Sequence, residues 1–85
     1  MELHDLFQEA VVLSKTLAEK PSNDTLLKLY ALYKQSTDGD IHVEPPTNPF
    51  DFVGKAKFAA WEELKATPKD LAMQAYIDII AKLKG

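Results

Sequence analysis

The chain has no cysteine, only two histidines and three glycines, and no long apolar run. Without thiols it has no disulfide framework, no thiolate zinc site and no cysteine nucleophile, which fits a reducing compartment. His4 and His42 have no second ligand at helical spacing, so no transition-metal site is expected. Gly39, Gly54 and Gly85 are isolated, which leaves no glycine-rich phosphate loop. No apolar stretch approaches the length of a bilayer span, so no integral membrane segment is expected. Met1-Glu2-Leu3-His4-Asp5 is acidic and amphipathic, unlike the basic-then-apolar start of a signal peptide. The expectation is a cytoplasmic protein. A basic excess is also missing. A net charge of -3 gives no overall field to recruit nucleic acid, although single lysines can still build a local anion site.

Catalytic patterns are equally scarce. Ser14, Ser22 and Ser36 have no base placed beside them by any motif, and Glu62-Glu63 reads as a solvated face. Asp38, Asp40 and Glu44 lack the spacing and the terminal bidentate glutamate of a calcium loop, so Asp38-Gly39-Asp40 reads as turn chemistry. No catalytic residue, no metal and no cofactor are therefore expected.

What is present is ordinary soluble composition, 46% hydrophobic and 27% charged, in 85 residues. That supports one domain, residues 1–85, with a modest core. The pattern predicts an all-α fold of four helices. The first is expected from Leu3 to about Glu19, with Leu6, Ala10, Leu13 and Leu17 on one stripe, Leu3, Phe7 and Val11 beside it, and Pro21 as its stop. Ser22-Asn23-Asp24-Thr25 opens the second, which ends near Ser36-Thr37 before Gly39. From Asp38 to about Pro49 the chain carries Gly39, Pro45, Pro46 and Pro49, longer than the usual helix link of about two to eight residues. Such a loop can cross the length of a bundle. The third helix is expected from about Asp51 to Lys65. The fourth opens on Thr67 as cap, with Pro68 at the first helical position. Ala72, Ala75, Tyr76, Ile79, Ile80 and Leu83 carry it to the end. No segment alternates with period two, so no strand is expected.

The second helix is the most informative. At about 3.6 residues per turn, Leu26, Leu27, Tyr30, Tyr33 and Lys34 share a face, and Leu29, Leu32 and Ser36 continue it round the side. The uncharged arc spans roughly 220°, against the roughly 100° needed to cover one neighbour. It calls for a second partner, which can be a helix or a ligand. Two phenols and an ammonium suit a ligand with an aromatic ring and an anion. They also suit a central helix whose polar tips reach the rim. On the third helix Lys57 interrupts the stripe Val53, Lys57, Ala60 and Leu64, and on the first Lys15 follows Val11 and Val12. A lysine on an apolar stripe either snorkels or meets an anion. Three on three helices favour a shared anionic ligand. Neither the Lys34 nor the Lys57 head is expected to be paired in the free protein.

These residues resemble the acyl-CoA-binding protein family over essentially the whole chain. The most specific segments are Leu29-Tyr30-Ala31-Leu32-Tyr33-Lys34-Gln35-Ser36-Thr37 with Gly39-Asp40, then Gly54-Lys55-Ala56-Lys57 leading to Ala60-Trp61, then Ala72-Met73-Gln74-Ala75-Tyr76-Ile77. The resemblance implies a four-helix bundle with a long overhand loop between helices two and three. It implies a monomer that binds medium- to long-chain fatty acyl-CoA esters, as an intracellular carrier without catalysis. By position, Tyr30, Tyr33, Lys34, Lys57 and Tyr76 match the family's contacts to the CoA head and its 3'-phosphate, and Lys15 a further basic contact. Leu27, with Phe7 and neighbouring apolar residues such as Val11, would shape the site around the acyl tail.

The chain departs from the family pattern in places. Val53 stands where many members carry lysine, Phe58 replaces a frequent tryptophan, and Pro45 sits where arginine is common. The loop through Phe50 is one residue longer, and Ala66 replaces a typical glycine. Two rival readings are a helical protein-interaction module, in which the arc of helix two docks a partner helix, and an acyl-CoA-processing enzyme, which the lack of a base or nucleophile motif disfavours.

Overall fold

A computed structural model describes residues 2–85, and among these there are four helices and no strand. They are α1 (Leu3–Ser14), α2 (Asn23–Thr37), α3 (Phe52–Glu62) and α4 (Lys69–Lys84). The all-α class and the long α2–α3 connection match the sequence reading, while three helix ends differ from it.

α1 stops at Ser14 instead of continuing to Glu19. The Ser14 hydroxyl donates to the Val11 carbonyl at 2.6 Å and the Thr16 hydroxyl to the Leu13 carbonyl at 3.1 Å. The Thr16 N–H also turns to Leu13, at 2.9 Å. These short-range bonds satisfy the last carbonyls and divert the backbone from the α-helical pattern. α2 begins as expected: Ser22 Oγ accepts from the Thr25 N–H at 3.2 Å. Its end falls to Gly39 at φ 84°, whose N–H reaches the Lys34 carbonyl at 3.2 Å. Only glycine takes that conformation without steric cost.

Asp51 caps α3, its Oδ1 accepting from the Gly54 N–H at 2.9 Å. A Cβ at position 54 would collide with that carboxylate. α3 ends at Glu62, short of Lys65, because the chain tightens into successive three-residue turns from Trp61 to Thr67. α4 starts one residue later than expected, with Pro68 as its cap residue and no side-chain bond there. Thr67 is not the cap. Its carbonyl accepts from Gln35, and its N–H donates to the Leu64 carbonyl.

The helices pack in three pairs: α2 on α4, α1 on α4, and α2 on α3. Phe7, Ala10, Leu29, Leu32, Ala72, Tyr76 and Ile80 form the main core, so α1, α2 and α4 enclose it. α3 lies outside, holding α2 alone, and Trp61 is its one buried residue among those described. The expected inward stripe of α3 is thereby corrected. Val53 and Lys57 are exposed, and Ala60 and Leu64 only half-buried, because a helix with one neighbour needs one narrow contact line.

Trp61 is fixed by hydrogen bonds around Gln35, which is 1% exposed. Trp61 Nε1 donates to the Gly39 carbonyl at 2.9 Å and to Gln35 Oε1 at 3.2 Å. Gln35 Nε2 donates to Asp40 Oδ1 and to the Thr67 carbonyl, both at 2.8 Å. Asp40 Oδ1 also accepts from the Ala66 N–H at 2.8 Å. Reaching Asp40 requires Ala66 to adopt φ 73°, a left-handed conformation that costs a residue with a Cβ. Replacing Ala66 with glycine is expected to stabilise the chain by about 0.5–1 kcal/mol, the relieved strain less the added unfolded-state entropy. Urea unfolding measures this, and an unchanged midpoint would show that the turn stores no strain.

Candidate functional site

Two grooves open on either side of α2 and share Leu26 and Tyr30 as their common wall. The first, about 400 Å³, runs between α2 and α3 and is lined by Asn23, Leu26, Leu27, Tyr30, Phe52, Val53, Ala56 and Lys57. It exists because α3 is held to α2 at Trp61, leaving the N-terminal turns of both helices parted. Its walls are apolar except at Tyr30, Asn23 and Lys57, and the Lys57 ammonium lies over the Tyr30 ring, 5.2 Å from its centre.

The second groove, about 350 Å³, lies where the backbones of α1 and α2 stay apart over α4. Val11, Ser14 and Lys15 form one side, Leu29, Tyr30 and Tyr33 the other, and Tyr76 lines it from α4. Phe7 joins these elements from within the core. Its ring stacks on Tyr33 at 6.0 Å and meets Tyr76 edge-on at 5.2 Å. The early end of α1 places Lys15 just past the last helical residue, at the groove's edge.

α2 thus has two helical partners, and its buried residues are Leu29, Ala31, Leu32, Gln35 and Ser36. The Leu26, Leu27, Tyr30 and Tyr33 surface remains partly open, with Tyr33 41% exposed. Helices cover part of the wide arc, and the rest borders the two grooves.

Lys34 lines neither groove. Its ammonium pairs with Asp38 Oδ2 at 2.7 Å and lies 5.1 Å from the centre of the Trp61 ring. The expectation that this head is unpaired in the free protein is corrected here. The hydrogen bond to Asp38 raises the Lys34 pKa, against a smaller opposing effect of burial. The same bond lowers that of Asp38. Gln35 and then the Ala66 N–H lower that of Asp40.

Of the residues singled out from sequence, the structure brings Lys15, Val11, Tyr30, Tyr33 and Tyr76 to one groove, and Leu27, Tyr30 and Lys57 to the other. Phe7 is wholly enclosed and has no surface of its own to offer. Sequence reasoning missed Phe52 and Ala56 as groove residues, and it missed the Gln35 network. The available signal was a glutamine one helical turn beyond Ala31 and Leu32, on the inner side of α2. No group of three or more histidine, cysteine, aspartate or glutamate residues among those described could hold a metal ion. No helix among them is long and apolar enough to cross a membrane.

Fold and grooves together define a class: a small all-α domain with apolar clefts rimmed by tyrosine and lysine. The chain belongs to the acyl-CoA-binding protein family, since the family model for Acyl CoA binding protein matches residues 4–80. It is 49% identical over 77 residues to Acyl-CoA-binding protein homolog 1 of Caenorhabditis elegans, covering 91% of this chain and 88% of that one. It is 44% identical over 79 residues to Enoyl-CoA delta isomerase 2 of Rattus norvegicus, covering 93% of this chain but 20% of the isomerase. The fold is similar to the crystal structure of Oryza sativa Acyl-CoA-Binding Protein 2, with a TM-score of 0.89 and 34% identity, over 95% of this chain and 87% of that one.

The lowered Asp40 pKa has a definite sign. Its contribution to stability is fully present above the ordinary value of 3.8 and is lost as pH falls through the lowered folded value. Asp40→Ala is expected to destabilise the chain at neutral pH and to flatten its acid unfolding curve below about pH 4. Unfolding midpoints from pH 2 to pH 7 check this. Parallel curves for the two proteins would show that Asp40 does not contribute through its charge.

Proposed function

We propose that this chain binds medium- to long-chain fatty acyl-CoA esters and carries them through the cytoplasm as a monomer, without turning them over. The observation that carries the reading is the meeting of two grooves at Tyr30, one apolar along most of its length and the other rimmed by phenols and lysine. A fatty acyl-CoA has matching halves, an apolar tail and a nucleotide with phosphates. Family membership supports the same ligand class.

In this reading the nucleotide occupies the α1–α2 groove. Tyr30, Tyr33 and Tyr76 offer ring faces and hydroxyls, while Lys15 at the groove's edge, Lys57 from across Tyr30 and Lys34 one turn beyond Tyr30 reach for the phosphates that project from it, through charge-assisted hydrogen bonds. The tail follows the α2–α3 groove past Leu26 and Leu27, between Phe52, Val53 and Ala56. Burying it contributes about 0.8 kcal/mol per methylene until the groove is filled. Val53 puts an aliphatic wall where many members of the family carry lysine. Val11 lines the nucleotide side, and Phe7 acts from beneath by holding Tyr33 and Tyr76. A protein that encloses the ester by these contacts keeps it from membranes and hydrolases and needs no catalytic group.

A second reading, the interaction module, draws on the 79%, 72% and 64% exposure of Phe50, Phe52 and Val53. Apolar side chains this exposed and this close in sequence can meet a partner protein. It predicts no binding of CoA esters by the isolated chain.

Calorimetric titration separates the two. Affinity should rise from free CoA through short and medium to long acyl-CoAs and then level off, with palmitate alone binding poorly. A flat series would overturn the carrier reading. Lys57→Ala should weaken palmitoyl-CoA binding by about 1.5–3 kcal/mol, the contribution of a hydrogen bond to a charged group. The loss should be much smaller for the dephospho-CoA ester, and equal losses would show that Lys57 does not read the 3'-phosphate.

A further inference from the structure

Among the described residues, Lys34 is the one lysine of the proposed nucleotide-binding set with an acidic side chain in direct contact. Asp38, one helical turn on, holds its ammonium at 2.7 Å, while Trp61 lies beneath it. Two features show that this ion pair does little for the helix itself. Asp38 is the C-terminal cap of α2, where the helix dipole disfavours an anion. The order is also reversed: a cation preceding an anion by four residues is the weaker arrangement along a helix. The backbone part of the cap, the Asp38 N–H on the Lys34 carbonyl at 2.7 Å, does not involve the carboxylate.

The carboxylate acts instead on whatever approaches Lys34. Both partners are partly open to solvent, at 30% and 39% of their side chains. A ligand phosphate can therefore reach the ammonium only by displacing Asp38 or by sharing the nitrogen with it. In the shared case two acceptors each about 2.8 Å from one nitrogen stand roughly 4.6 Å apart, close enough for strong like-charge repulsion. In the displaced case the ligand must first break a charge-assisted hydrogen bond. The Lys34 hydrogen bond lowers the Asp38 pKa from an ordinary value of 3.8, so the competing carboxylate is ionised throughout the neutral range.

We infer that Asp38 is an internal competitor for the Lys34 ammonium, occupying it in the free protein and setting how tightly the chain holds a phosphate-bearing ligand. The inference rests on the acyl-CoA reading above. It assigns to an acidic residue outside both grooves a role in tuning affinity and release, since a carrier that holds its cargo too firmly cannot deliver it.

The test is calorimetric titration of the wild type, Asp38→Asn and Asp38→Ala with palmitoyl-CoA and with its dephospho analogue. Both variants should bind palmitoyl-CoA about three- to tenfold more tightly than the wild type. The gain should shrink between about 20 mM and 200 mM salt, as expected for partly exposed charges. It should be smaller for the dephospho ester. Thermal unfolding of the free proteins serves as the control, and near-equal midpoints are expected because the backbone cap is retained. Wild-type binding with no tightening in either variant would overturn the inference and leave the carrier reading intact. A wild type that binds neither ester would overturn both.

Discussion

The buried amide of Gln35 is the interaction on which the arrangement depends. Its two N–H donors and its carbonyl are all used, on Asp40, Thr67 and Trp61. Through those partners one side chain on α2 ties down the start of the long loop, the indole of α3 and the turn into α4. A buried amide is costly when a bond is missing and rigidifying when all are made, so the three attachments stand or fall together. Among the described residues α3 packs on no other helix, and its angle to α2 is set where Trp61 is held. The α2–α3 groove is the space that this anchoring leaves at the far end of both helices.

The same logic explains the α1–α2 groove. α1 and α2 each pack on α4 but not on each other along their backbones. The gap is bridged by rings, with Phe7 between Tyr33 and Tyr76. A core built this way leaves clefts on either side of α2, and Tyr30 lines one on each side. The proposed ligand has two chemically different halves, and α2 offers a different surface to each. The charge distribution follows suit. A chain with net charge -3 still presents Lys15 and Lys57 on groove walls and Lys34 one turn beyond Tyr30, with Asp38 set against the last of them.

Much of this was legible in the order of residues. Apolar spacing gave the number and type of helices, and Ser22 and Gly39 marked the two ends of α2 correctly because capping and termination act within a few residues. The grouping of Tyr30 with Tyr33 and Lys34 on one side of α2 is likewise a matter of helical geometry. The errors have a common character. α1 ends well before Pro21 because the Ser14 and Thr16 hydroxyls turn back onto the carbonyls of Val11 and Leu13. α3 ends early, and Thr67 fails to cap α4, because Gln35 and Asp40 draw the intervening turn towards α2. Lys57 was read as intruding on an inward stripe, yet α3 has too few neighbours for that stripe to be inward.

The sequence by itself determined which segments are helical, which residues each helix presents together, and the family to which the chain belongs, because these depend on periodicity and on motifs read in order. Only the tertiary structure decided that Phe7 lies inside the core against Tyr33 and Tyr76, that Val53 and Phe52 wall a groove, and that Lys34 already has a partner in Asp38. Those outcomes depend on where neighbouring elements stand and on which polar groups are within bonding distance. No local preference of a single helix encodes the gap between two of them.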